Sequence, residues 1–158
     1  MNKKTIAIAL FVLAIVLAGS PLRLLLPRGI RNNNPGNIRE NRFVDFDWVG
    51  EAPDDFDPEF EEFLTPQAGI RAIARILKNY QSRHGINTVD GIITRWAPPS
   101  ENDTAAYITA VVQQTRFGPN QQIVIANNLF PLVSAIIQQE NGMNPYPPDV
   151  IWEGIRAA

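Results

Sequence analysis

Residues 126–142 read ANNLFPLVSAIIQQENG. After Asn127-Asn128, the apolar residues Leu132, Val133, Ile136 and Ile137 recur at helical spacing, and the run ends at Glu140 with Gly142 in the place of a C-terminal cap. Upstream, Asp103 or Asn102 caps a helix that carries Tyr107, Ile108, Val111 and Val112. Before that, Asn87 or Thr88 opens a shorter helix through Ile92, Ile93 and Trp96, stopped by Pro98-Pro99. Thr65 caps a longer one with Pro66 at its first position; Ile70, Ile73, Leu77 and Tyr80 form its stripe, and His84-Gly85 ends it with His84 at the surface. Past Gly142, three prolines precede a last helical piece around Ile151–Ile155. Val44, Phe46 and Trp48 alternate with Asp45 and Asp47 and predict a short strand. The fold class read from these patterns is mainly α with a small β element, without internal repeats.

The N-terminus is of another kind. Residues 5–19, TIAIALFVLAIVLAG, follow Lys3 and Lys4. At about 1.5 Å per residue this run spans roughly 22 Å, short of a hydrocarbon core of about 30 Å. Val16-Leu17-Ala18 has the small residues of a signal-peptidase site, which gives a secreted domain. The apolar run resumes at Leu22–Leu26, which favours an uncleaved N-terminal membrane helix, with the lysines inside and the domain outside the cytoplasm. The expected division is a signal-anchor at 1–26, contacting lipid through 5–26, and a working domain at 27–158.

Composition narrows the chemistry. The 158 residues include no cysteine and one histidine, so thiolate and multi-histidine metal sites are excluded and a Ser-His-Asp triad is disfavoured. No metal and no cofactor are expected. Eleven of the 14 bases and all 16 acids follow residue 27, leaving the domain at −5; this argues against nucleic acid as a partner. Ten of those acids lie between Glu40 and Glu62, a pattern that reads as a solvated acidic loop.

Carboxylate chemistry remains, and Glu140 is its best candidate. It follows the apolar face Val133–Ile136–Ile137, and a carboxylate beside apolar surface has its charged form disfavoured, as a general acid requires. A helix C-terminus is also a mildly unfavourable place for negative charge. Residues 31–37, RNNNPGN, form a turn-rich segment. The amides of Asn32, Asn33, Asn34 and Asn37 suit the hydroxyl and acetamido groups of a sugar. Trp48, Trp96 and Tyr107 are candidates for stacking on sugar faces.

Several stretches carry a resemblance: RGIRNNNPGNIR (28–39), Trp48-Val49-Gly50, Phe60 with Phe63, Gly69-Ile70-Arg71-Ala72, WAPPSENDTAAY (96–107) and QENG (139–142). Together they resemble a family of small phage proteins described as virion structural proteins or lysozyme-like lytic enzymes. The resemblance runs from about residue 28 to 146 and implies a lysozyme-like fold of the lytic transglycosylase superfamily, with peptidoglycan as substrate. In lytic transglycosylases the helix ending in the catalytic Glu comes first, followed by an NN-x-x-GI-type loop and a P-x-E-T-x-x-Y segment. Here Asn33-Asn34-Pro35-Gly36-Asn37-Ile38 is similar to the loop, and Pro99–Tyr107 to the later segment. The Glu140 helix stands last, with Asn141 where Ser or Thr is usual. The order looks like a circular permutation, which neighbouring surface termini tolerate.

By this resemblance Glu140 is catalytic, and Asn33, Asn34, Asn37, Ile38, Thr104, Tyr107 and Trp96 contact the substrate. The implied activity is cleavage of the bond between N-acetylmuramic acid and N-acetylglucosamine by a virion-associated enzyme used for cell penetration or lysis. Attack by the substrate's own 6-hydroxyl gives an anhydro product. A true muramidase needs a second carboxylate roughly 5–9.5 Å away, for which Glu101, Asp103 and Glu51 are the candidates. The competing expectations are a non-catalytic virion membrane protein of the same fold, touching other virion proteins, and a periplasmic inhibitor or receptor module that binds a basic partner through the acidic 40–62 stretch.

Overall fold

Thr65 determines where the longest helix begins. Its side chain accepts the Ala68 amide hydrogen, and Pro66 occupies the first turn, where no amide is needed. The computed structural model describes residues 25–41, 47–54 and 56–158. In chain order the helices are α1 (Arg28–Arg31), α2 (Pro66–His84), α3 (Val89–Trp96), α4 (Thr104–Thr115), α5 (Leu129–Asn141) and α6 (Pro148–Arg156), with a 3₁₀ turn at Ile125–Asn127. Thr88 caps α3 through the Gly91 amide and Asp103 caps α4 through the Ala106 amide. Gly85 and Gly142, both in the left-handed region, close α2 and α5.

The helices meet on one core. Ile70, Ile73 and Leu77 of α2 pack with Ile92 and Ile93 of α3, with Leu132, Val133, Ile136 and Ile137 of α5, and with Val150, Ile151 and Ile155 of α6. Most of these side chains are fully buried, and each contributes about 1.5–3 kcal/mol relative to exposure. Helix α5 meets α1, α2, α4 and α6, and α3 packs on α4. Helix α6 lies so close to α2 that a Cβ on Gly154 would come within 2.6 Å of Ile70 Cγ2 and 2.8 Å of the Gln67 carbonyl. On another face of α2, the Asn33 carbonyl rests on Gly69, where a Cβ could not fit. The 32–38 loop is thereby seated on the core helix.

Two parts of the fold class expected from sequence are corrected. The chain is helical, and among the described residues there is no strand. Antiparallel pairing is confined to two isolated bridges, Arg39 with Phe60 and Glu51 with Phe63. The residues between them explain why: Glu51 takes the Trp48 amide hydrogen, Glu62 takes those of Phe56 and Asp57, and Asp57 takes that of Glu59. Side-chain carboxylates thus occupy donors that a ladder would need. Of the strand expected over 44–48, residues 44–46 lie outside the described residues. Likewise, no helix among the described residues is long and apolar enough to cross a membrane. Helix α2, the longest, carries Arg71, Arg75, Lys78 and Arg83. Of the anchor expected at 1–26, only Leu25 and Leu26 fall within the described residues; Leu25 is exposed and Leu26 packs against the core.

Candidate active site

The 32–38 loop is built around Asn34. Its Nδ2 donates to the carbonyls of Ile38 and Glu61, both at 2.9 Å, and its Oδ1 accepts the Ile38 amide hydrogen at 3.0 Å. Asn33 (φ 51°) and Asn37 (φ 47°) adopt left-handed backbone, which asparagine tolerates better than most residues. These two kinks turn the loop so that Asn37 faces the end of α5. Asn141, next to Glu140, secures the junction from the other side, donating to the Pro35 carbonyl at 2.8 Å and to Ile137 O at 2.9 Å.

Three donors from three elements converge on Glu140. Trp96, the last residue of α3, donates its indole N–H to Oε1 at 2.9 Å. Tyr107 of α4 donates its hydroxyl to the same oxygen at 3.0 Å. Asn37 Nδ2 donates to Oε2 at 3.0 Å and to the Glu140 carbonyl at 3.1 Å. Burial, reinforced by the neighbouring Glu140 charge, pushes the Tyr107 phenol above its ordinary range, so it stays a donor at any working pH. The carboxylate lines a cleft of about 430 Å³ whose walls include Asn37, Ile38, Arg39, Phe60, Trp96, Pro98 and Glu101.

The structure therefore brings Glu140, Asn37, Ile38 and Trp96 together in the cleft wall, places Tyr107 on the Glu140 carboxylate but not in that wall, and leaves other expected contacts elsewhere. Asn33 spends its amide on the Phe63 carbonyl (2.9 Å) and Asn34 on its own loop. Asn32 donates to Asp57 at 2.6 Å. Thr104 is buried and donates to the Ala97 carbonyl at 2.6 Å, tying α4 to the end of α3. These four side chains hold the site up from behind rather than facing the cleft. Trp48 donates to Glu61 and is absent from the cleft wall, so Trp96 is the indole that forms it. Of the candidate second acids, Asp103 is committed to its cap and Glu51 to the Trp48 amide. Glu101 lines the cleft mouth and pairs with Arg39 at 2.9 Å.

Sequence reasoning did not find Arg39, Phe60 or Tyr80 as cleft residues. Phe60 lies under two guanidinium groups, Arg28 at 4.4 Å and Arg39 at 5.4 Å from its ring centre. Its three-residue spacing from the buried Phe63 in the acidic stretch was the one available signal. Among the described residues no group of three or more His, Asp or Glu is arranged to hold a metal ion.

No protein-family model matches the chain. Over 128 residues, 80% of this chain and 79% of the relative, it is 48% identical to Protein P5 of Pseudoalteromonas phage PM2. With that identity sustained over most of both proteins, the chain belongs to the family of phage Protein P5.

Proposed function

We propose that this protein is a peptidoglycan-cleaving enzyme of the lytic transglycosylase type, with Glu140 as its acid and base. The observation that carries the reading is the Glu140 carboxylate, held at a cleft wall by Trp96, Tyr107 and Asn37 from three separate elements. Such fixation commits donors from three elements to one carboxylate at a cleft wall, and general acid–base catalysis needs a carboxyl positioned in this way. The resemblance of the 28–39 and 96–107 segments to lysozyme-like phage enzymes supports the same reading, as does the phage origin of the relative.

Both acceptor positions of Oε1 are taken, by Trp96 and Tyr107, whereas Oε2 keeps one beside Asn37. Oε2 is therefore the oxygen that carries the transferable proton. It protonates the glycosidic oxygen as the C1–O bond breaks, which leaves Glu140 as a carboxylate. That carboxylate then takes the proton of the sugar's 6-hydroxyl while O6 bonds to C1, closing the anhydro ring and restoring the acid. Asn37 and Ile38 line the sugar's path, and Trp96 supplies an apolar wall.

Digestion of purified peptidoglycan by the full-length chain, followed by mass spectrometry, tests the reading. Anhydromuropeptides are expected, with a loss of at least about 10²–10⁴ in rate for Glu140→Gln. Reducing-end products would instead require hydrolysis with Glu101 as the second acid. No products, or equal activity of Glu140→Gln, would leave a non-catalytic virion protein.

A further inference from the structure

The cleft does not end at Tyr80. A second depression of about 620 Å³ shares Ile38, Arg39, Ile76 and Tyr80 with it, so the two adjoin along these side chains. The wall of this extension is α2, which contributes Arg71, Arg75, Asn79 and Arg83. These residues stand four apart, and positions i, i+4, i+8 and i+12 stack on one helix face over about 18 Å. No carboxylate lies within ion-pairing distance of Arg71, Arg75 or Arg83 among the described residues. Arg71 uses its Nε on the Ala157 carbonyl, and Arg75 and Arg83 are exposed. A row of uncompensated guanidinium groups is unexpected in a domain with a net charge of −5, which has ample acids to neutralise it.

The wall contributed by the acidic segment holds Asp47, Trp48, Val49 and Glu61. Glu61 is buried, and desolvation together with the charges of Glu40 and Glu51 pushes its carboxyl up to about 8. It is largely neutral near pH 7 and does not cancel the arginines. Among the described residues of that wall, Asp47 is the exposed acid. Among the described residues the extension thus presents cations spaced along α2 and one exposed anion, Asp47.

We propose that this arm of the groove binds the peptide stem of peptidoglycan, with Arg75 and Arg83 reading its carboxylates. The stem carries several carboxylates and one free amine on its diamino acid, and so matches the arginine row and Asp47. Guanidinium groups suit carboxylates through paired, planar hydrogen bonds. The inference rests on the glycan-cleft reading, since it assumes that the sugar strand occupies the first compartment.

Binding to sacculi distinguishes the two. The full-length Glu140→Gln protein, and the same protein carrying Arg75→Gln and Arg83→Gln, would be bound to intact sacculi and to sacculi stripped of stems by an amidase. Intact sacculi should bind the Arg-bearing protein more tightly than stripped ones. The double Arg variant should lose that preference, weakening roughly three- to tenfold on intact material only. Equal binding to both substrates before the arginines are changed would overturn the proposal, as would an equal loss on both afterwards. Cleavage is not read in this experiment, so an inactive wild type would sink the enzymatic reading while leaving the stem preference intact.

Discussion

Asn37 and Glu140 are 103 residues apart in sequence, yet one amide nitrogen of Asn37 donates both to the Glu140 carboxylate (3.0 Å) and to its main-chain carbonyl (3.1 Å). A single side chain thus joins a turn-rich loop near one end of the domain to the closing turn of α5. It fixes the carboxyl and the helix end together. The loop is in turn seated on α2 at Gly69 and locked by Asn34. The carboxylate's position therefore depends on most of the core.

Asn37→Gly keeps the left-handed backbone accessible and removes both bonds. Tyr107→Phe removes one donor from Oε1 and keeps the ring. A hydrogen bond to a charged group contributes about 1.5–3 kcal/mol, so each variant should lose roughly 10–100-fold in peptidoglycan cleavage. Turbidity clearance with purified sacculi reads this. Wild-type rates in both variants would show that the bonds hold the fold and not the chemistry.

Glu101 provides the contrast. Its carboxylate pairs with Arg39, and both side chains are more than half exposed, so the pair contributes no more than about 1 kcal/mol. Glu101→Gln should leave thermal stability nearly unchanged and keep anhydro products. A loss of activity comparable with that of Glu140→Gln would make Glu101 a second catalytic acid.

The sequence made the helices legible because their ends and faces are local properties. Thr65-Pro66, Thr88, Asp103, Gly85 and Gly142 act on amides or carbonyls within a few residues, and the stripe of α5 needs only its own period. Trp96, Tyr107 and Glu140 were recognisable as chemistry-bearing residues, and the motif order suggested that they meet. The asparagines were not separable in this way. In a turn, an amide facing a ligand and an amide bonding its own loop look alike, and only the fold shows Asn33 and Asn34 facing inward while Asn37 faces Glu140. Among the described residues the expected β element is reduced to two isolated bridges for a related reason. Alternation of Val44, Phe46 and Trp48 ignores the neighbouring carboxylates that take backbone donors in 47–62. The arginine row of α2 is periodic in the sequence, but its freedom from acids depends on where the acidic loop lies.

Asp57 should make the domain acid-sensitive. Hydrogen bonds from the Arg28 guanidinium, with a further one from Asn32, hold its carboxyl down at about 2, against an ordinary 3.8. The unfolded chain takes up this proton first as pH falls. The stabilisation is therefore complete above about pH 4 and disappears as pH drops through 2. Because Arg28 is partly exposed, the contribution is about 1–2 kcal/mol. Asp57→Asn should melt lower than wild type at pH 7, and the two should converge near pH 2. A constant difference across that range would refute the assignment.

Glu61 acts in the opposite direction. Its carboxyl is buried, lies near Glu40 and Glu51, and is pushed up to about 8 although Trp48 donates to it. Below its ordinary value of 4.5, folded and unfolded chains both hold the proton and Glu61 has no effect on the pH dependence of stability. Between 4.5 and 8 the unfolded chain releases a proton that the folded chain retains, so stability falls with rising pH; above 8 the penalty is constant. Glutamine resembles the neutral acid, keeps an oxygen for the Trp48 indole and offers an amide to the neighbouring carboxylates. Glu61→Gln should therefore match wild type at pH 4 and exceed it by at least about 1 kcal/mol at pH 8, as read from urea unfolding at a series of pH values. If the two unfolding curves instead stay parallel from pH 4 to pH 9, Glu61 is ionised in the folded protein, and the arginine row of α2 faces a second full negative charge.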